Sequence, residues 1–266
     1  MREARALIRA AWLTATSYRV GMVFSLLGLA AVLLPLYFIA NALQPTMQVA
    51  IGPEARQYFA FVVVGAAMFS LLSTCATALP SALDGAIARG TFEVMLGTPA
   101  RLSAICSGLM GYGLLWAILR AGILVATAAA LGAQIVWHSV PLGLLVLAIT
   151  MLSYVGAGLA LSSLVLVFRT TGPLTAGLLT ASMFLGGVYY PTHVIPSWIQ
   201  DVASVLPITY GLRALRQIVL RGYGLTAVAH DLEMLSIMAA LLLALGAASF
   251  RIALGHARRS GTLSSY

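Results

Sequence analysis

Residues 141–168 read PLGLLVLAITMLSYVGAGLALSSLVLVF, and no charged residue interrupts the run from Pro141 to Phe168. The hydrocarbon core of a bilayer is about 30 Å thick, and about 20 apolar helical residues cross it. In lipid every backbone N–H and C=O must find its partner inside the segment, so such a run spans as a helix. The rest of the chain has the same character. Of its 266 residues, 61% are hydrophobic and 8% are charged, and the mean hydropathy is +0.99. Soluble domains carry about 25% charged residues. A soluble enzyme, a disordered tail and a nucleic-acid module are thereby excluded, and a polytopic helical membrane protein remains.

Further apolar runs flank the first. Expected spans cover 20–43, 58–79, 105–133, 141–168, 173–190 and 232–250, making six. The single domain fills 1–266. Within it, 1–19 reads as an interfacial helix, 81–103 as a polar segment and 191–230 as an apolar segment broken by prolines. In 1–19, Arg2, Arg5 and Arg9 share one helical face, and Leu7, Ile8, Ala11, Ala15 and Tyr18 share the other. This is an amphipathic helix at the membrane surface, or else a plain basic flank of the first span. Span 105–133 would be about 43 Å long, more than a bilayer requires. Arg120 within it is either a gating contact or a snorkelling anchor.

All 15 basic residues are arginine, and they are spread along the chain. With both termini inside, Arg2, Arg5, Arg9, Arg19, Arg89, Arg101, Arg169, Arg251, Arg258 and Arg259 are cytoplasmic. Arg56, Arg213, Arg216 and Arg221 are then external, a bias of ten to four. The positive-inside rule favours this orientation, with 81–103 inside and 191–230 outside.

Chemistry is sparse. Cys75 and Cys106 lie in apolar segments, and His138, His193, His230 and His256 are scattered, so no metal spacing is present. The seven acidic residues Glu3, Glu54, Asp84, Glu93, Asp201, Asp231 and Glu233 all fall outside the middle of the expected spans. Proton coupling through an intramembrane carboxylate thus has no visible carrier. The phosphate-binding G-x-x-x-x-G-K-[ST] motif requires lysine, which the chain lacks. The chain is expected to be no enzyme and to hold no cofactor. An ATP-driven machine built on it would keep its ATPase on another polypeptide.

Such a partner needs a dock. In 81–103, Asp84, Arg89, Glu93 and Arg101 surround Phe92, Val94, Met95 and Leu96. A short helix over 91–96, stopped by Gly97 and Pro99, would offer apolar anchors with a charged rim. An ordinary polar loop is the alternative. In 191–222, Pro196-Ser197 starts a helix with Ser197 as its N-cap, and Trp198, Ile199, Val202, Val205 and Leu206 form one apolar face. Pro207 breaks that helix. A second piece over 210–220 carries Leu212, Leu215 and Val219 on one side. Two helices too short to span make a re-entrant or interfacial hairpin, or else a folded external loop.

Two stretches carry a resemblance. Arg89-Gly90-Thr91-Phe92-Glu93-Val94-Met95-Leu96-Gly97-Thr98-Pro99 resembles the cytoplasmic signature of ABC-2 type transporter permeases. Gly186-Gly187-Val188-Tyr189-Tyr190-Pro191, then Ile195-Pro196-Ser197-Trp198-Ile199, Leu206-Pro207-Ile208-Thr209-Tyr210 and Arg213 resemble the segment before the family's last span. The likeness covers nearly the whole chain and is closest to the daunorubicin-resistance type. Polysaccharide permeases usually carry Asn-Pro where Leu206-Pro207 stands, and the lipo-oligosaccharide exporters of nodulation form another close branch.

The resemblance implies an inner-membrane exporter, such as a multidrug efflux system. Two permease copies would form a homodimer or pair with a close homologue. A separate nucleotide-binding ATPase subunit would hold ATP and Mg. It further implies that Arg89, Gly90, Thr91, Phe92, Glu93, Thr98 and Pro99 couple to that ATPase. Pro191, Pro196, Trp198, Pro207, Tyr210 and Arg213 would belong to an external gate hairpin. Phe69, Met183 and Phe184 would line the path, or else pack helices. The aliphatic, aromatic and methionine side chains of the spans suit a hydrophobic or amphipathic substrate. A glycan substrate and a non-transporting scaffold are the alternatives.

Overall fold

The computed structural model describes residues 19–52, 54–91, 97, 102–168 and 172–260. Eight α-helices account for most of them: α1 (Arg19–Ile51), α2 (Tyr58–Ala88), α3 (Leu102–Ala130), α4 (Val140–Phe168), α5 (Gly172–Leu185), α6 (Ser197–Ala203), α7 (Pro207–Arg221) and α8 (Ala229–Ser260). Short 3₁₀ turns lie at Trp137–Ser139, Thr192–Val194 and Leu225–Val228. Among the described residues there is no strand. The expected interfacial helix at 1–19 lies outside the described residues, save for Arg19.

Among the described residues, four helical stretches are long and apolar enough to cross a membrane: Tyr58–Ala88, Ala104–Ala130, Trp137–Phe168 and Leu225–Ala257. They correspond to four of the six expected spans. At the other two places stand α1, with Pro35 and Pro45 inside it, and α5, which has 14 residues. At 1.5 Å per residue α5 is about 21 Å long, short of a hydrocarbon core.

Helix ends differ from the sequence expectation where packing continues beyond a proline. α1 runs through Pro45, which was expected in a loop. Its C-terminal half buries Ala40 and Ile51, and the Gln44 side chain is bound in place. The Gln44 Oε1 accepts the N–H of Tyr58 at 2.6 Å, and Nε2 donates to the Arg56 carbonyl at 3.2 Å. This packing outweighs the roughly 3 kcal/mol cost of a proline within a helix. α2 likewise continues past Pro80 to Ala88, into the segment expected to be polar loop. Leu79, Leu83 and Ala86 carry its apolar stripe onward, buried with Met110 of α3, Leu166 of α4 and Phe250 and Leu254 of α8.

α2 is the central element. Phe61, Met68, Leu72, Cys75 and Leu79 along it are fully buried. α1, α3, α4 and α7 pack around it. Glycine permits the closest crossings. A Cβ on Gly156 of α4 would sit 2.5 Å from the Leu242 carbonyl carbon of α8, and Gly246 of α8 meets the Gly156 carbonyl. A Cβ on Gly158 would lie 2.8 Å from the Cys75 carbonyl oxygen of α2. The Gly156-Ala157-Gly158 stretch is therefore a backbone-to-backbone packing surface, the use to which membrane helices commonly put small residues.

Candidate functional site

The glycine pair 186–187 ends α5 and turns the chain. Gly187 takes φ +78°, a left-handed conformation that glycine adopts without a Cβ penalty. A Cβ on Gly186 would strike the Ile208 side chain and the Ser182 carbonyl. The turn aims two consecutive carbonyls at Arg216 of α7. Arg216 Nη1 donates to the Gly187 oxygen at 2.9 Å, and Nη2 donates to the Val188 oxygen at 2.7 Å. Its Nε donates to the Phe61 oxygen of α2 at 3.3 Å, and Nη1 also reaches Glu54 Oε2 at 3.4 Å. The guanidinium carbon stands 3.4 Å from the centroid of the Phe61 ring. Only 2% of the Arg216 side chain and 7% of the Glu54 side chain are exposed.

One guanidinium thus joins four parts of the chain: the α1–α2 connection, α2, the turn after α5, and α7. A planar fork of five donors serves this geometry, and a lysine ammonium does not. The surroundings are fitted to it. A Cβ on Gly65 would lie 2.6 Å from Arg216 Nη2. The Tyr58 hydroxyl donates to the Tyr189 carbonyl at 2.9 Å, holding the same turn to α2. The Tyr190 hydroxyl donates to the Phe184 carbonyl.

Above this hub stands the proline-rich hairpin. α6 begins at Ser197 after an extended Pro196, with no side-chain cap bond, so Ser197 is the first helical residue rather than the N-cap. The fixed φ of proline sets the entry, and the Gln200 amide donates to the Ile195 carbonyl at 2.7 Å. Pro207 occupies the first turn of α7, where its missing N–H costs nothing, so it opens the second helix as well as ending the first. The Thr209 hydroxyl donates to the Ala203 carbonyl at 2.7 Å and binds the two helices together. On α6 and its exit, Trp198, Val202 and Val205 are 68%, 50% and 71% exposed, an apolar face without cover in the single chain. Arg213 is half-buried and pairs with Asp231 of α8 at 3.3 Å. Its Nη2 also donates to the Thr192 hydroxyl at 3.5 Å.

The fold so described coincides with a known sequence pattern. The family model described as ABC-2 type transporter matches residues 3–220. The chain belongs to the ABC-2 type transporter family. Among its relatives, the protein named inner membrane transport permease YadH of Escherichia coli (strain K12) is 26% identical over 159 residues, covering 60% of this chain and 62% of that protein. Nodulation protein J of Rhizobium leguminosarum bv. trifolii is 28% identical over 164 residues, covering 61% of this chain and 62% of that protein. The matched part thus spans less than two thirds of either relative. With its apolar helices, this ABC-2 chain is an integral membrane transport protein.

The family motifs fall at opposite ends of α2. Arg89 and Gly90 follow its last turn, exposed, with Gly90 at φ +66°, and the Thr91 hydroxyl donates to the Ala86 carbonyl at 3.1 Å. Phe92, Glu93, Thr98 and Pro99 lie outside the described residues. Of the path candidates in this ABC-2 chain, Phe69 is half-buried against the main core, Met183 is half-buried, and Phe184 is 49% exposed. Pro191 is buried and Tyr210 half-buried. The structure brings Arg213 beside Arg216, Glu54, Gly186 and Gly187, while Pro196 and Trp198 are exposed.

Sequence reasoning missed the pairing of Arg216 with Glu54: it counted Arg216 among the external arginines and set Glu54 outside the expected spans. A signal for Arg216 was present. It lies four residues after Leu212 and three before Val219, on the apolar face of its helix. An arginine on that face is buried, and a buried arginine has partners. Glu54, 162 residues away, carries no such mark.

Proposed function

We propose that this chain is the membrane-spanning subunit of an ATP-binding-cassette exporter that moves a hydrophobic or amphipathic substrate outward. The ATP is hydrolysed on a separate subunit docked at 89–99, and a second permease copy completes the path. The observation that carries the reading is α2. It is one helix, about 46 Å long at 1.5 Å per residue, with the family's cytoplasmic signature at one end and the Arg216 hub at the other. A displacement imposed at Arg89 reaches the carbonyl of Phe61 through a rigid element. From there it passes through Arg216 to the turn 186–190 and the hairpin. Closure of the nucleotide-bound ATPases would press the two copies together and shift the hairpin, opening the path outward. The uncovered apolar face of α6 fits the outer leaflet or the second copy, where it would seal the path at rest.

The test is reconstitution of the chain with its ATPase subunit in vesicles, following efflux of an amphipathic dye against ATP hydrolysis. ATP-dependent efflux that disappears in Glu93→Ala and Phe92→Ala, with both proteins still inserted, is the expected result. A complex that hydrolyses ATP and moves no amphiphile overturns the substrate class. A chain that captures no ATPase favours the scaffold reading. A lipo-oligosaccharide is the second substrate reading, favoured by the 28% identity to Nodulation protein J.

A further inference from the structure

Two cavities adjoin against α7 on the flank of the bundle formed by α3 and α4. One, of about 360 Å³, is almost wholly apolar and opens between α2, α3, α4 and α7; Met68, Ile118, Gly122, Leu144, Leu147 and Val219 are among its walls. The other, of about 460 Å³, is lined by Arg56, Gln134, Trp137 and Arg221 with a few apolar neighbours. Ile135 and Trp137 line both. The wall between them is fixed by the backbone: Val136 N–H donates to the Val219 carbonyl at 2.8 Å, and the Gln134 N–H donates to the Gln57 side chain at 3.0 Å.

The charges in the polar cavity are uncompensated. Glu54 and Asp231 are engaged by Arg216 and Arg213, and among the described residues no acidic side chain lines either cavity. Arg221 Nε is buried with no hydrogen-bond partner. A buried donor left open in this way costs free energy until an acceptor reaches it. Trp137, 64% exposed at the shared edge, has the amphipathic ring that favours the membrane–water boundary. An acid head against two arginines, an aromatic at headgroup level and a dry apolar slot behind them describe one ligand.

We propose that the joined cavities bind one anionic phospholipid of the surrounding bilayer, its phosphate between Arg56 and Arg221 and an acyl chain in the slot between α3 and α4. The site lies on the α3–α4 flank with α7 at its back, and none of the path candidates Phe69, Met183 and Phe184 lines it.

Gly122 supplies the decisive variant. It lines the slot, and a Cβ there would meet nothing within 4 Å. Gly122→Leu therefore places its Cβ in open space and directs added volume into the slot, in a helix that leucine favours over glycine. The full chain, purified in mild detergent, is titrated with phosphatidylglycerol, phosphatidylethanolamine or inorganic phosphate and read by native mass spectrometry. One phosphatidylglycerol per chain is expected, retained more strongly than phosphatidylethanolamine. At about 1 kcal/mol for each arginine near the surface, Arg56→Gln with Arg221→Gln weakens phosphatidylglycerol about thirtyfold and removes the preference. Gly122→Leu weakens both lipids while the melting temperature holds or rises. Equal retention by wild type and both variants overturns the proposal. So does displacement by inorganic phosphate with Gly122→Leu silent, which marks an anion pocket alone. Disulfide-linked dimers of Trp137→Cys with no retained lipid also overturn it, assigning the face to a second copy.

Discussion

At the residue scale, Arg216 decides how this end of the molecule holds together. Taking a guanidinium and a carboxylate out of water is costly, and removing one partner leaves the other buried and unpaired. Arg216→Ala is therefore expected to destabilise the chain by about 3–5 kcal/mol. Glu54→Gln should cost clearly less, because the carbonyls of Gly187, Val188 and Phe61 still hold the guanidinium. Arg216→Lys should resemble the alanine variant more than wild type, since one ammonium cannot reach three carbonyls on two segments. Unfolding in mixed micelles, followed by circular dichroism, orders the three. Equal losses for Glu54→Gln and Arg216→Ala would mean that the ion pair, and not the carbonyl set, is the centre of the hub. The Gly186-Gly187 motif gains its physical meaning here. Those residues were legible in the sequence as a motif, but their purpose, two carbonyls aimed at one arginine, depends on a partner far along the chain. The burial of the arginine was not foreseen because a topological charge count treats every arginine outside a span as solvated.

At the scale of elements, hydropathy placed the long apolar helices well, because burial in lipid writes itself into composition. It placed their ends less well. α1 and α2 run past Pro45 and Pro80 because packing against neighbours sustains them, and a proline read alone signals a stop. The Gly156-Ala157-Gly158 surface of α4 meets the backbones of α8 and α2. Gly156→Ala tests the crossing. Helix propensity alone would favour alanine by about 0.8–1.0 kcal/mol. The new Cβ would instead meet the Leu242–Leu243 backbone at 2.5–2.6 Å, so overpacking should reverse the sign and cost about 1–3 kcal/mol. A stabilised Gly156→Ala would show that α4 and α8 separate readily. The hairpin offers a second test at this scale. Trp198 is exposed in the single chain, so Trp198→Asp should leave the fold intact. If its face sits in the leaflet or against the second copy, a carboxylate there costs about 1–3 kcal/mol of the closed arrangement. ATP hydrolysis by the reconstituted complex should then proceed with less efflux per ATP. Wild-type coupling in Trp198→Asp would return the hairpin to the status of an external loop.

At the scale of the whole molecule, the proposed mechanism needs the two family motifs on opposite sides of the membrane. Arg89 and Gly90 follow one end of α2, and Phe61, bound to Arg216, lies near the other; the arginine bias favours a cytoplasmic 89–99 and an external hairpin. Single cysteines introduced into a background with Cys75 and Cys106 replaced by alanine report this directly. Arg89 is exposed beyond the end of α2, and Val205 is exposed on the hairpin, so both substitutions should fold. In intact cells an impermeant maleimide should label Val205→Cys and spare Arg89→Cys, and permeabilisation should expose the second. The reverse pattern would put the hairpin beside the ATPase, and neither the coupling role of Glu93 nor the sealing role of Trp198 would survive. Labelling also reads the transport cycle. If α2 carries a movement from the dock to the hub, trapping the ATPase with a non-hydrolysable nucleotide changes the labelling rate at Val205→Cys by severalfold. The same trap applied to Arg216→Met, which retains apolar volume and removes the fork, should leave that rate unchanged. An unaltered response in Arg216→Met would mean that the hairpin is driven through another contact, and the hub would then be a structural clasp alone.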